Sequence, residues 1–145
     1  MVREGPAGKG LTRCLLVRTG EVQCAIPLHQ VRRVARALRV SPVPGAAPEL
    51  LGIAEYSGEP IAVFDLARLV DAPPGANPEY PVTVVATIGG ESGELAGLSA
   101  DAALRFVDLA EAMALPTAVG VVQGEVVIEG EPVRLLDLAR LGVAP

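Results

Sequence analysis

Short apolar runs separated by glycine and polar turn residues recur along the chain. Runs of this length that flank a turn signal are typical of β-hairpins. Many such runs with little helical periodicity predict an all-β fold, either a sandwich or a pair of barrels. The two clearest hairpins are residues 12–18 with 21–26, on either side of Thr19-Gly20, and residues 82–88 with 94–99, around a turn that begins at Gly89-Gly90.

An internal repeat divides the chain. The segment GEPIAVFDLARL from Gly58 recurs as GEPVRLLDLARL from Gly130, with eight of twelve positions identical. A weaker upstream match has an offset of 73 residues against 72 for this segment, which predicts two halves with the same order of elements. In both copies we expect the proline in a turn, the next four residues in a strand, and Asp65 or Asp137 at the N-cap of a short helix.

The boundaries of the halves follow from composition. Residues 71–81 contain four prolines and one glycine, which predicts an exposed linker between the halves 11–70 and 82–145. Residues 1–10, rich in glycine and charge, are expected to form a flexible N-terminus. The segment from Val31 to Leu38 has apolar residues at helical spacing, whereas its counterpart in the repeat has the pattern of a strand. Periodicity favours a helix there, and the repeat favours a strand.

Composition and charge narrow the function classes. Half of the residues are apolar and 20% are charged, which is typical of a packed globular domain. A net charge of -5 and an aromatic content of 3% argue against nucleic acid as a partner. The N-terminal residues do not resemble a signal peptide, and no apolar run reaches the length of a membrane span. We therefore expect a cytoplasmic protein without direct membrane insertion.

Candidate catalytic and metal-binding residues are few. His29 is the only histidine, and the two cysteines, Cys14 and Cys24, are expected to be free and buried. Asp65 and Asp137 belong to different halves and are better explained as helix caps than as an acid–base pair. A zinc site needs three or four ligands, and no glycine-rich phosphate loop precedes a helix. The sequence thus predicts no enzyme activity, no catalytic residues, no metal and no cofactor.

A cluster of arginines is the strongest charge asymmetry of this acidic chain. It is either a solvated face or a docking patch for an acidic protein partner. The alternative function is a basic-patch binding module for nucleic acid or an acidic ligand. The cluster consists of Arg32, Arg33, Arg36 and Arg39.

Several segments, taken in order, carry a family resemblance. They are CLLVRTGEVQCAIPLHQVRRV from Cys14, the connection from Pro42 that ends in LLGI at Ile53, GEPIAVFDLARL, GLSAD from Gly97 and the closing GEPVRLLDLARL. In this order and spacing they resemble the CheW-like family, a bacterial chemotaxis adaptor fold that also occurs as the regulatory domain of CheA-type histidine kinases. The resemblance implies two five-stranded SH3-like barrels.

The resemblance also implies partners and binding residues. A member of this family couples the regulatory domain of a CheA-type kinase to the cytoplasmic tip of a chemoreceptor, or to an alternative adaptor, in a chemosensory or motility pathway. An apolar groove between the barrels would take the receptor tip, and a stretch near residues 33–40 would lie close to the kinase. The positions concerned are Leu28, Val31 and Val82 for the groove and Arg33, Val34, Arg36 and Arg39 for the kinase contact.

The chain departs from the family pattern at the second turn. The family motif there is G-x-x-N-x-R-G, whereas this chain has Glu55 in place of the asparagine and Ser57 in place of the arginine. The resemblance ties that arginine to receptor coupling. Two interpretations therefore stay open: the protein keeps ordinary receptor coupling, or it has lost it. Arg33 stands where an acidic residue is common, and the region between Asp101 and Gly120 looks shorter than usual.

Overall fold

The computed structural model describes residues 10–73, 81–90, 93–110 and 115–141, which form β-strands and short helical turns. Nearly all of the predicted flexible N-terminus and most of the predicted linker lie outside these ranges. Helix α1 is Leu66–Leu69, and two 3-10 helices are Leu28–Gln30 and Leu138–Arg140. The strands are β1 Leu11–Thr19, β2 Val22–Pro27, β3 Val31–Arg36, β4 Leu50–Tyr56, β5 Glu59–Asp65, β6 Val82–Ile88, β7 Glu94–Ala100, β8 Ala102–Ala110, β9 Leu115–Val119, β10 Val122–Ile128 and β11 Glu131–Leu136.

These strands form two sheets, and the chain crosses between the sheets twice. Sheet A has the strand order β8-β1-β2-β11-β10-β9, and sheet B has the order β3-β6-β7-β5-β4. The chain starts in sheet A with β1 and β2, builds all of sheet B, and returns to sheet A at β8. The contacts β2–β11 and β5–β7 are parallel, and the other strand pairs are antiparallel.

The two sheets repeat one arrangement of strands. Strands β3, β6, β7, β5 and β4 of sheet B correspond in order to β8, β1, β2, β11 and β10 of sheet A, and β9 adds a sixth strand to sheet A. The predicted all-β fold of two related units is therefore confirmed. Each sheet takes a hairpin from one half of the sequence repeat and its remaining strands from the other half, so the halves are interleaved.

The repeated turn has the same geometry in both sheets. Ser57 and Gly58 connect β4 to β5 with φ angles of 51° and 82°, and Glu129 and Gly130 connect β10 to β11 with φ angles of 51° and 81°. Positive φ at both central residues defines the type I′ turn that matches the twist of a two-residue hairpin. Glycine at the second position meets this requirement without a steric cost.

The predicted helix caps are confirmed. The Asp65 carboxylate accepts a hydrogen bond from the N–H of Ala67 at 3.1 Å, and the Asp137 carboxylate accepts one from Ala139, also at 3.1 Å. Each bond satisfies one of the N–H groups that the start of a helix leaves without an intrahelical acceptor.

Two local predictions need correction. Pro60 and Pro132 lie inside strands β5 and β11 and not in the turns. Pro60 is tolerated there because β5 pairs with β7 only from Ala62 onward, so its missing N–H leaves no gap in that ladder. The first hairpin turns at Gly20-Glu21, one residue later than predicted, because Gly20 takes the positive φ of 63°. The segment after Val31, for which two patterns competed, is strand β3.

The described residues form three apolar cores that follow the alternation of side chains along each strand. In β1, Leu15 and Val17 face a central core between the sheets, whereas Cys14 and Leu16 face a core enclosed by sheet A. A third core, enclosed by sheet B, contains Val85. Strands buried on both faces explain the continuous apolar runs of the sequence.

The chain after β3 links the two edges of sheet B. Ser41 and Ile53 exchange backbone hydrogen bonds of 2.8 and 2.9 Å, which join this segment to β4 at the far edge of the sheet. Gly52 allows the close approach, because a Cβ atom there would lie 2.1 Å from the Ser41 carbonyl oxygen. No helix among the described residues has the length and apolar character of a membrane span.

Candidate partner-binding site

Strand β3 is an edge strand and carries most of the predicted partner-binding residues. Among the described strands it pairs with β6 alone, and Val34 and Arg36 lie opposite Val84 and Val82. Directly opposed residues in an antiparallel pair project from the same face of a sheet. Val34 and Arg36 therefore project on the face of the central core, at the border where that core meets the surface.

The predicted groove residues lie along this border. Leu28 is half-buried in the 3-10 helix between β2 and β3, and Val31 and Val82 are half-buried and pack against the central core. Val34 has 39% of its surface exposed. We call Leu28, Val31 and Val82 the apolar seam, because they share the border between the sheets and are each only partly covered. Val34 belongs to the predicted kinase contact and lies beside the seam.

Four exposed arginines flank the apolar seam, and we call them the basic edge. Arg32, Arg33 and Arg36 are on β3, and Arg39 follows in the segment that leads to Ser41. No aspartate or glutamate of the described ranges lies within ion-pair distance of any of the four. The basic edge thus presents four guanidinium groups to solvent with their charge uncompensated.

The corresponding edge of sheet A has its charges paired. Arg36 faces Val82 across β3–β6, and in the equivalent pair of sheet A Asp108 faces Arg13. Arg13 binds both oxygens of Asp108, at 3.1 and 3.3 Å. This hydrogen bond lowers the pKa of Asp108 and raises that of Arg13. The internal ion pair leaves the β8 edge without the free positive charge of the basic edge.

An exposed apolar group on β8 was missed at the level of sequence. Phe106 is 55% exposed and Leu104 is 42% exposed. Phe106 faces Leu15 across β1–β8 and so occupies the register position that Val34 has in sheet B. The repeat aligned this segment with β3 at an offset of 73 residues, which matched Phe106 with Arg33, whereas the strand register corresponds to an offset of 72.

The altered motif positions lie away from the apolar seam. Ser57 is exposed in the β4–β5 turn, and Glu55 is exposed on β4, at the opposite edge of sheet B from β3. Ser57 lines a cavity of about 530 Å³ between this turn and the start of β7. Glu59, Glu94 and Ile61 also line this cavity. The structure therefore does not bring Ser57 together with the groove residues.

The other chemically reactive residues are dispersed. His29 is exposed, and no three His, Cys, Asp or Glu residues of the described ranges are close enough to share a metal ion. Cys14 and Cys24 are buried and form no disulfide. Burial raises the pKa of the Cys24 thiol to about 12, against a small opposing effect of Arg134, so the thiol stays protonated at neutral pH and is a poor nucleophile.

Fold and surface together define a two-sheet β protein whose candidate binding residues lie at an exposed strand edge. The family model of the CheW-like domain matches residues 13–144, so the chain belongs to the CheW-like domain family. Among solved structures, it is similar to the scaffolding protein TtCheW from Thermoanaerobacter tengcongensis, with 18% identity, a TM-score of 0.76 and coverage of 88% of this chain and 89% of that one. A comparison with curated proteins finds no match. The implied fold is thereby confirmed.

Proposed function

We propose that this protein is a cytoplasmic adaptor of a bacterial chemosensory or motility pathway. It binds the regulatory domain of a CheA-type histidine kinase and holds it in a fixed position relative to a chemoreceptor tip or another pathway component. Membership of the CheW-like domain family supports this function, and so does the scaffolding role named for TtCheW. In this proposal the protein acts through protein contacts at its strand edges and apolar seam, and it transforms no substrate.

The observation that carries the proposal is the difference between the two equivalent edges. At the β8 edge, Asp108 forms an ion pair with Arg13, whereas Arg36 on the β3 edge faces the apolar Val82. An unpaired row of arginines beside half-buried valines suits an acidic protein surface with an apolar centre. We assign the basic edge to the kinase and the apolar seam to the receptor tip or its replacement.

The structure supports a positional mechanism. The central core joins the sheets through side chains buried in both, so the two binding surfaces belong to one packed body. A scaffold with this construction raises the effective concentration of one partner near the other without changing either chemically. The direct test is calorimetric titration of the protein with the cognate kinase regulatory domain and, separately, with a cognate receptor tip. Binding to neither would contradict the proposal.

An arginine introduced at the β4–β5 turn distinguishes a protein that keeps ordinary receptor coupling from one that has lost it. We expect Ser57→Arg to raise affinity for the receptor tip about tenfold, a gain of about 1.4 kcal/mol, if this turn contacts the receptor. Stability should change little, since Ser57 already has a positive φ and another L-residue adds no new backbone cost.

Ser57→Lys provides the matched control for this experiment. It adds the same charge at the same turn position, with the same φ of 51°, but lacks the planar guanidinium. An equal gain in both variants would indicate a general charge effect, and no gain in Ser57→Arg would exclude this turn from the receptor contact.

The basic edge also supports a second candidate, a module that binds nucleic acid or an acidic ligand. Four phosphate contacts would make the affinity fall about a hundredfold between 50 and 200 mM salt. The net charge of -5 opposes this function. Failure of the protein to bind a DNA column at low salt would eliminate the nucleic-acid version.

A further inference from the structure

The two crossings between the sheets are each held by a polar side chain. The first crossing, from β2 to β3, runs through the 3-10 helix Leu28–Gln30, and the second, from β7 to β8, runs through Asp101. Asp101 accepts a hydrogen bond from the N–H of Gly20 at 2.8 Å. Gln30 is the polar side chain that holds the first crossing, and its contacts are more extensive.

Gln30 is a buried amide that uses both ends of its side chain. Its Nε2 donates to the Asp137 carboxylate at 3.0 Å, and its Oε1 accepts from the N–H of Leu138 at 2.9 Å. Its backbone carbonyl accepts from the Thr87 hydroxyl at 3.4 Å. Only 9% of Gln30 is exposed. The residue therefore ties the crossing to the helix cap of sheet A and to β6 of sheet B at the same time.

Gln30 lies between two residues of the apolar seam. Leu28 is two residues before it and Val31 directly follows it. The backbone at this point cannot move without breaking the hydrogen bonds of Gln30. The bond from Leu138 is buried and the bond to the Asp137 carboxylate is partly buried, and such bonds are costly to leave unmade. The Gln30 contacts consequently fix the positions of Leu28 and Val31 relative to Val82.

We propose that Gln30 is a positioning residue for partner binding at the apolar seam. It makes no contact with the partner, and it holds Leu28 and Val31 in the geometry that the partner recognises. This inference rests on the proposed function, in which the seam takes the receptor tip. It predicts that loss of the Gln30 hydrogen bonds weakens tip binding through a displaced seam, while the basic edge continues to bind the kinase.

The second crossing offers a matched control. In sheet A the register positions equivalent to Val31 and Val82 are Ala103 and Arg13, so this crossing has no large apolar seam beside it. Asp101→Ala removes the hydrogen bond from Gly20 at 2.8 Å and the 3.9 Å ion pair with Arg18, at a similar place in the fold. A merely structural role for Gln30 would make both substitutions behave alike.

The experiment compares Gln30→Met, Gln30→Glu/Asp137→Asn and Asp101→Ala with the wild type. Methyl NMR reports the positions of the Leu28 and Val31 side chains, and calorimetry measures affinity for a cognate receptor tip and for the kinase regulatory domain. We expect Gln30→Met to shift both methyl signals and to weaken tip binding about tenfold, with kinase affinity within about twofold of wild type. Gln30→Glu/Asp137→Asn exchanges the amide and the carboxylate of this pair, so it keeps an acceptor for Leu138 and a donor–acceptor pair between positions 30 and 137. It should lie between Gln30→Met and wild type, which secures the test if Gln30→Met does not fold.

The outcomes separate this inference from the proposed function. Unmoved methyl signals in both Gln30 variants, or tip affinity that changes as much in Asp101→Ala, would overturn the positioning role. A wild type that binds the kinase but not the tip would overturn it too, and would leave the adaptor function standing. A wild type that binds neither partner would remove both.

Discussion

At the scale of single residues, backbone geometry determines which positions tolerate change. Gly52 has a φ of 152° and lies against the carbonyl of Ser41, where a Cβ atom would be 2.1 Å from the oxygen. Gly45 also has a positive φ, of 79°, but a Cβ atom there would meet nothing within 4 Å. The two glycines share a left-handed backbone and differ in the space around it.

We expect Gly52→Ala to lower the free energy of unfolding by about 3 kcal/mol, because the methyl group would force Ser41 away from β4. Gly45→Ala should cost about 1 kcal/mol, the penalty of the left-handed backbone alone. Urea denaturation of both variants measures the difference. Equal losses would show that the Ser41–Ile53 bridge moves freely and that the close approach is unimportant.

At the scale of elements, the repeated strand–turn–strand–helix unit could be predicted well. The recurrence of GEP and DLARL indicated two equivalent strands, each followed by a capped helical turn, and both caps are present. The exact turn residues were less predictable. A glycine next to two polar residues is compatible with more than one hairpin register. The strands that pair with β1 and β5 in the folded protein determine which register forms.

The two caps differ in one contact, and that contact predicts different costs. Asp65→Ala should lower the free energy of unfolding by about 1 kcal/mol, the usual cost of a lost N-cap. Asp137→Ala should cost about 2 to 3 kcal/mol, because it also leaves the buried Nε2 of Gln30 without an acceptor. Thermal or chemical denaturation of the two variants tests this, and equal losses would contradict the role given to Gln30.

At the scale of the whole molecule, the interleaving of the halves could not be read from the repeat. A hairpin with the pattern of β1–β2 could pair with strands of its own half or with their counterparts in the other half, since both offer the same apolar faces. The candidate site was predicted in part. Exposure of Arg33 and Arg36 followed from charge, whereas the pairing of Arg13 with Asp108 and the exposure of Phe106 depend on strand register.

The interleaving predicts that neither half folds alone. Residues 1–77, expressed alone, would retain the hairpins β1–β2 and β4–β5, and residues 78–145 the hairpin β6–β7 and the three strands β9–β10–β11. The pairings β1–β8, β2–β11, β3–β6 and β5–β7 would be lost, because they all join the two fragments. Isolated hairpins are marginally stable in water. We expect each fragment to lack dispersed amide NMR signals and an equimolar mixture to regain them. A folded spectrum from either fragment alone would contradict the interleaved topology.

The central claim is that the basic edge of β3 binds the kinase regulatory domain. Its most direct test is calorimetric titration of that domain with the double variant Arg33→Glu/Arg36→Glu, with Arg68→Glu as a control of the same charge type on α1, away from the edge. We predict that the double variant loses affinity at least about tenfold, with less dependence on salt, and that the control stays within about twofold of wild type. Unchanged affinity in the double variant, or an equal loss in the control, would contradict the account.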